Sequence, residues 1–334
     1  MNRIRFRQIK ESDIDDIYHL ALEAHAGITS LPKKRTLLEE KIERAVSQTG
    51  DLYFFGLDDQ EQNKLIGVSA IKTNTQSEYP FNHYKITQDE RVYPENLSTL
   101  TRKTRLLVPE KVPYPFSELS TLFLTRKERR HGLGRLLSLS RFIFIKLHRS
   151  YFNDVLKASL RGFFDENGLS PFWEHVGRKF VDMPYEQFTD IVRNDPHCLA
   201  SVIPTTYPTL ELLHPEAQKT IGLTHKNTVA AKHLLEQQGL SYDQEIDLLD
   251  GGPIISGPID ALKPLLSCES AVVSEIRSFD SKPNTIIAKS LPFQSALGYS
   301  LTNSKGLVID EQTAKNLSLE IGNQVYYLKF EGSV

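Results

Sequence analysis

The segment Arg129-Arg130-His131-Gly132-Leu133-Gly134-Arg135 has the residue types and spacing of an anion site. It follows a strand-like run, Ser117 to Leu124. It precedes a helical pattern with Leu133, Leu136, Leu137, Ser140, Phe144 and Leu147 on one face. A turn so placed offers backbone N–H groups to an anion, and the helix N-terminus adds positive potential. Glycines at 132 and 134 let the backbone approach closely, and Arg129, Arg130 and Arg135 can neutralise a diphosphate-sized charge. The spacing is neither G-x-G-x-x-G nor G-x-x-x-x-G-K. The bland alternative is a solvated basic turn at an ordinary helix start.

The elements that must position this turn are legible on both sides. Ile4 and Phe6 alternate with arginines as a short strand, and Ser12 to Asp15 reads as a capping box before a helix through Ala24. Leu38 to Val46 predicts a second helix, and Leu52–Leu57 and Lys64–Ile71 a hairpin. Residues 73–115 read as a long insertion with strands near Tyr84–Ile86 and Thr104–Val108. A strand is expected at Val155–Leu160, and a helix from Pro171 capped by Ser170. Further on, a short helix after Asn227 as cap ends at Gly239, then a strand runs from Tyr242 to Leu249 into the Asp250-Gly251-Gly252-Pro253 turn. The tail from about Ser270 reads mostly as strands.

Composition sets the outer limits. The 334 residues suit two domains or more, and 40% apolar with 25% charged residues is ordinary for a globular chain. Forty basic against forty-two acidic side chains argue against nucleic acid as a partner. Cys198 and Cys268 form no CxxC, so neither a disulfide scaffold nor a metal site is expected. No run approaches a membrane span, and Met1 to Arg7 has no apolar stretch behind it. A soluble cytoplasmic chain is the expectation.

The turn Arg129-x-x-Gly132-x-Gly134 resembles the one with which GNAT N-acetyltransferases hold the diphosphate of an acyl-coenzyme A. The order strand, two helices, hairpin, strand, Gly turn, helix, strand is also theirs. Longer stretches resemble the arginine N-succinyltransferase family: Gly27-Ile28-Thr29-Ser30-Leu31-Pro32, Glu118 to Leu124, Leu139-Ser140-Arg141-Phe142-Ile143-Phe144, Asn167 to Trp173, Pro215 to Gly222 and Asp247 to Pro253. They run in the family's order over roughly residues 1 to 260.

The resemblance implies an α+β, GNAT-like fold and transfer of succinyl from succinyl-CoA to the α-amine of L-arginine, opening arginine catabolism. Succinyl-CoA would be a co-substrate, with no permanently bound cofactor. It gives the proton-transfer role to His225, in Gly222-Leu223-Thr224-His225, and a succinyl-CoA contact to the main chain of Leu122. Arg129, Gly132, Gly134 and Arg135 would then hold the coenzyme. His225 lies just before a helix, whose N-terminus disfavours imidazolium, so a neutral ring able to accept and then return a proton is expected. The side chain of Leu122 has core packing as its plain alternative.

Three units are expected: a GNAT-like domain at 1–182, a second, degenerate acyltransferase-like half at 183–265 carrying His225, and a β-rich subdomain at 266–334. The duplication rests on an echo between Ser170–Phe180 and Asn227–Leu240. Two segments depart from the family, Thr125–Arg129 and Pro204–Pro208. The rival readings are a catalytically idle or partner-dependent acyltransferase-like subunit, in a homo- or hetero-oligomer with a similar chain, and an N-acyltransferase for another amine, such as ornithine, or another acyl-CoA.

Overall fold

The computed structural model describes residues 3–24, 28, 30–47, 50–75, 83–92, 101–110, 112–129, 131–194, 198–202 and 209–330. Gly27, Thr29, Arg130 and the departing segment 204–208 lie outside them. The first part runs β1 (Ile4–Gln8), α1 (Ile14–Glu23), α2 (Arg35–Val46), β2 (Leu52–Asp59), β3 (Lys64–Lys72), β4 (His83–Val92), β5 (Thr101–Glu110), β6 (Ser117–Leu124), α3 (Leu133–Leu147) and β7 (Val155–Ser159). Helices follow: α4 (Pro171–His175), α5 (Tyr185–Asn194), α6 (Cys198–Val202), α7 (Pro215–Thr220) and α8 (Val229–Gln237). Then come β8 (Ser241–Ile246), β9 (Pro253–Pro258) and α9 (Lys263–Ser267). The tail holds β10 (Glu269–Arg277), β11 (Thr285–Ser290), β12 (Phe293–Gly298), β13 (Ser300–Asn303), β14 (Gly306–Asp310), α10 (Glu311–Leu317) and β15 (Gln324–Lys329).

The strands join in the order β13-β14-β10-β15-β11-β12-β1-β2-β3-β6-β7-β9-β8-β4-β5. Adjacent pairs are antiparallel except β10 with β14 and β6 with β7, which are parallel. Within the insertion between β3 and β6, β4 and β5 pair antiparallel along their length, and β4 also pairs with β8, on the far side of β7 and β9. The α+β class stands.

Helix α3 lies against the sheet centre, with every residue from Leu136 to Ile145 buried. Such a helix is apolar nearly all round because it packs on several sides at once. One core cluster takes Phe142 and Leu156 from the first expected unit, Leu240 and Ile255 from the second, and Ile286 and Leu328 from the third. The tail adds its own cluster around Val273, Leu307 and Leu317. The two helices of the expected echo sit in different settings. Phe172 of α4 packs with Tyr84 and Ala217, while Leu235 of α8 belongs to the central core, so the fold does not show a duplication.

Local chemistry explains several boundaries and corrects others. Ser170 caps α4 as expected, accepting from Trp173 N–H at 3.2 Å behind Pro171. The capping box over Ser12–Asp15 is replaced by a 3-10 turn, Glu11–Asp13, in which the Asp13 carboxylate accepts from Lys10 N–H at 2.7 Å. Asp13 also accepts two bonds from buried Arg7, which ties β1 to this turn. Asn227 is not the cap of α8. The helix begins at Val229 with Thr228 in the cap position and no side-chain cap bond. The tail is mostly strand, as expected, and its helix α10 is capped by Asp310, which accepts from Thr313 N–H at 2.8 Å.

Candidate active site

Strands β6 and β7 pair at only two positions, Ser117 with Leu156 and Glu118 with Lys157. Beyond them the strands diverge, and a cavity of about 840 Å³ opens between Leu119–Leu124 on one side and Ala158–Arg161 on the other. A parallel pair that separates this way leaves backbone N–H and C=O groups of the strand edge facing the opening. Thr121, on this stretch of β6, has φ 53°, and the register against β3 shifts between Val68 and Ala70. The resulting bulge re-aims the strand toward the cavity. Leu122 lines the cavity and also packs half-buried on the central core.

The anion turn lies at the same cavity. His131 and Gly132 both take left-handed backbone, φ 61° and 76°. Gly132 is in the cap position of α3, and helical bonding begins with Leu136 N–H to Gly132 C=O at 2.9 Å. The amides of Leu133, Gly134 and Arg135 precede that first bond, as the leading amides of any helix do. A Cβ built at Gly134 would meet no atom within 4 Å, so nothing packed around it in the chain requires glycine there. Arg129 lines the cavity, with Nε donating to Leu124 C=O at 3.1 Å. The Arg135 side chain goes elsewhere: its guanidinium stacks 4.7 Å from the centre of the Phe330 ring, outside the cavity lining. Only the backbone of Arg135, at the opening of α3, stays close to the turn.

His225 reaches the cavity from the second half of the chain and is buried. Its backbone N–H donates to Arg161 C=O at 2.9 Å, and Thr224 bridges Gly162, so this loop is stitched to the continuation of β7. Asn227 N–H donates to His225 Nδ1 at 3.1 Å. A ring that accepts at Nδ1 carries its proton on Nε2 when neutral.

The same wall carries two carboxylates, buried Asp250 and half-buried Asp247. Asp250 accepts from Gly162 N–H at 2.8 Å and Gly252 N–H at 2.9 Å. Asp247 accepts from Leu249 N–H at 2.8 Å and Asp250 N–H at 3.2 Å. Burial pushes both carboxyls above the ordinary carboxylate range; Asp247 raises Asp250 further, and Glu118 does the same to Asp247.

Sequence reasoning passed over several lining residues. Ser120 Oγ and Arg161 Nε are buried without a hydrogen-bond partner among the described residues, and both residues line the cavity. Such orphaned polar atoms are ones that a bound ligand would satisfy. Arg141 also lines it, and a charged residue amid Leu139-Ser140-Arg141-Phe142-Ile143-Phe144 was a signal open to the sequence. Away from this lining, His175, His214 and Glu216 present ligand atoms within 4.8 Å of one another, the one such group of metal-ligand type among the described residues.

Residues 4–264 match the family model described as arginine N-succinyltransferase beta subunit. An arginine N-succinyltransferase of Photorhabdus laumondii subsp. laumondii is 32% identical over 283 residues, covering 82% of this chain and 81% of that one. One from Escherichia coli O6:K15:H31 is 32% identical over 286 residues, covering 80% of each. The solved structure of arginine/ornithine succinyltransferase subunit AI from Pseudomonas aeruginosa superposes with a TM-score of 0.87 at 23% identity, over 99% of this chain and 100% of that one; the two share a fold. Among the described residues, no helix is long and apolar enough to cross a membrane.

Proposed function

The chain belongs to the arginine N-succinyltransferase family, and from that footing we propose that its central cavity moves succinyl from succinyl-CoA to the α-amine of L-arginine. The observation that carries this placement is the divergence of β6 from β7, with the start of α3 on the cavity wall and His225 lining the same space. The diphosphate sits on the amides that open α3, with Arg129 beside it. The pantetheine arm runs along the open edge of β6, a GNAT-like mode of binding, and brings the thioester to the bulge at Thr121.

The α-amine must lose a proton before it attacks the thioester carbon. The Asp247/Asp250 pair, held above ordinary carboxylate affinity for protons, fits an incoming ammonium and can take up that proton. Attack forms the C–N bond and places negative charge on the carbonyl oxygen. Collapse of that intermediate breaks the C–S bond, and the second proton shed by the attacking nitrogen passes to the departing sulfur, so that a neutral amide and a free thiol are released. His225, with Nδ1 occupied and Nε2 protonated, is arranged to donate a hydrogen bond to whichever of these anions it faces. This departs from an accept-and-return role, because a neutral ring bonded at Nδ1 has no free lone pair to take a proton.

The test is release of free thiol from succinyl-CoA with and without L-arginine, with acetyl-CoA and ornithine as parallel arms. Arginine-dependent release that is fastest with succinyl-CoA is expected. Release that is indifferent to the amine, or is absent with every acyl donor, overturns the reading.

A further inference from the structure

Arg141 is 1% exposed and stands in the middle of the buried helix α3. Among the described residues its guanidinium bonds only within its own helix turn, Nε to Ser138 C=O at 3.2 Å and Nη2 to Ser138 Oγ at 3.1 Å. No carboxylate among the described residues pairs with it. Arg7, the other buried arginine, makes ion pairs with both Asp13 and Asp58. An unpaired buried cation is costly, so a fold keeps one where something else supplies the anion. Burial alone lowers the Arg141 pKa, to about 9, and no acidic neighbour offsets it.

The direction of the side chain says where that anion comes from. Gly134, Leu137 and Arg141 all line the cavity, and their spacing places them on one face of α3. That face starts at the diphosphate turn. Arg141 lies nine residues beyond Gly132, roughly 13 Å along the axis at ~1.5 Å per residue. This is comparable to an extended pantetheine arm, so the acyl end of a coenzyme held at the start of α3 arrives near Arg141. Arg161, the other arginine beside the acyl region, has different company: it stacks on Phe164 and feels Asp250 and Tyr185.

We propose that Arg141 binds the terminal carboxylate of the succinyl group and thereby selects a dicarboxylic acyl donor over a monocarboxylic one of the same length. The inference rests on the acyl-transfer reading above and deepens it. The carboxylate replaces the counter-ion that the protein omits, and charge-assisted hydrogen bonds then hold the acyl chain in one direction.

The experiment compares succinyl-CoA with butyryl-CoA, in which a methyl group replaces the carboxylate, for the parent enzyme, Arg141→Met, Arg141→Lys and Arg161→Met. The ratio of kcat/KM for succinyl-CoA to that for butyryl-CoA is expected to fall about 10- to 100-fold in Arg141→Met, the range for a lost hydrogen bond to a charged group, with partial recovery in Arg141→Lys. Equilibrium binding of the two thioesters, without arginine present, should show the same split. Thermal unfolding adds a readout that a merely structural arginine would fail: removing an unpaired buried cation should leave Tm unchanged or raised. Equal losses for both donors overturn the proposal, as does a split seen in Arg161→Met but not in Arg141→Met. If Arg141→Met does not fold, Arg141→Lys decides, and an unaltered donor ratio there counts against the proposal. Absence of arginine-dependent release in the parent would instead remove the acyl-transfer reading, leaving the binding comparison to judge Arg141 on its own.

Discussion

Lys41 Nζ donates to Thr121 Oγ1 at 2.8 Å, joining α2 to the residue of β6 that is held at positive φ beside the cavity. The same Nζ donates to Ser30 C=O and lies 4.7 Å from the centre of the Phe54 ring. A threonine in left-handed backbone costs free energy, and a fixed partner for its hydroxyl is what keeps it there. The bulge that opens the edge of β6 is therefore held from the opposite helical layer.

Replacing Lys41 with Met should loosen Thr121. A fall in kcat/KM of about 3- to 10-fold is expected, the range for one hydrogen bond, together with an altered dependence of stability on pH. Burial lowers the Lys41 pKa from 10.5 to about 7. Between those values the unfolded chain holds a proton that the folded chain has released, so stability contributed by this group rises with pH. Urea unfolding at pH 6, 8 and 10 should show that rise in the parent enzyme and a shallower one in Lys41→Met; parallel curves would contradict the assignment.

His225→Ala is expected to lower kcat by about 100-fold or more while thioester binding stays near that of the parent. His225→Gln separates donor from base. Its amide N–H can occupy the place of Nε2–H, so it should retain clearly more activity than the alanine variant. Equal loss in both would restore a proton-accepting role.

Gly134→Leu should fold at least as firmly as the parent, since leucine is the better helix former by somewhat under 1 kcal/mol and the site is open. Coenzyme A affinity should nevertheless drop at least about 10-fold, because the new side chain occupies the space over the first amides of α3. Thermal unfolding and equilibrium binding on one sample check both halves, and undiminished affinity would place the diphosphate elsewhere.

Arg7→Met tests the base of the sheet. It strips Asp13 of two bonds and Asp58 of one, leaving a buried carboxylate short of its cation. A loss of about 3 kcal/mol is expected at neutral pH, measured by denaturant titration.

The frame of the site was legible because its signals are local. Gly132 and Gly134 open an apolar helix, and Ser117 to Leu124 is a short apolar-rich run ending in Leu122-Phe123-Leu124 just before the polar turn. Strand β7 on the opposite wall was also expected, but what backs it was not. Pro253-Ile254-Ile255-Ser256-Gly257-Pro258 follows directly on a turn and carries proline at both ends, a weak strand signal, yet it forms β9, the strand paired with β7. Nor could spacing reveal that His225 N–H bonds Arg161 C=O, or that Asp250 holds Gly162, since these are contacts between distant segments. Arg141 was visible as an oddity in an apolar helix; its meaning needed the cavity.

Strand β1 is bonded on both flanks, by β2 and by β12, where Phe6 faces Ser295 and Arg7 faces Gln294. The last seventy or so residues therefore cover a row of amides that would otherwise be bare. Shortening the chain before β12 would leave that row ready to capture a strand from another molecule, so the tail also serves as a guard against self-association.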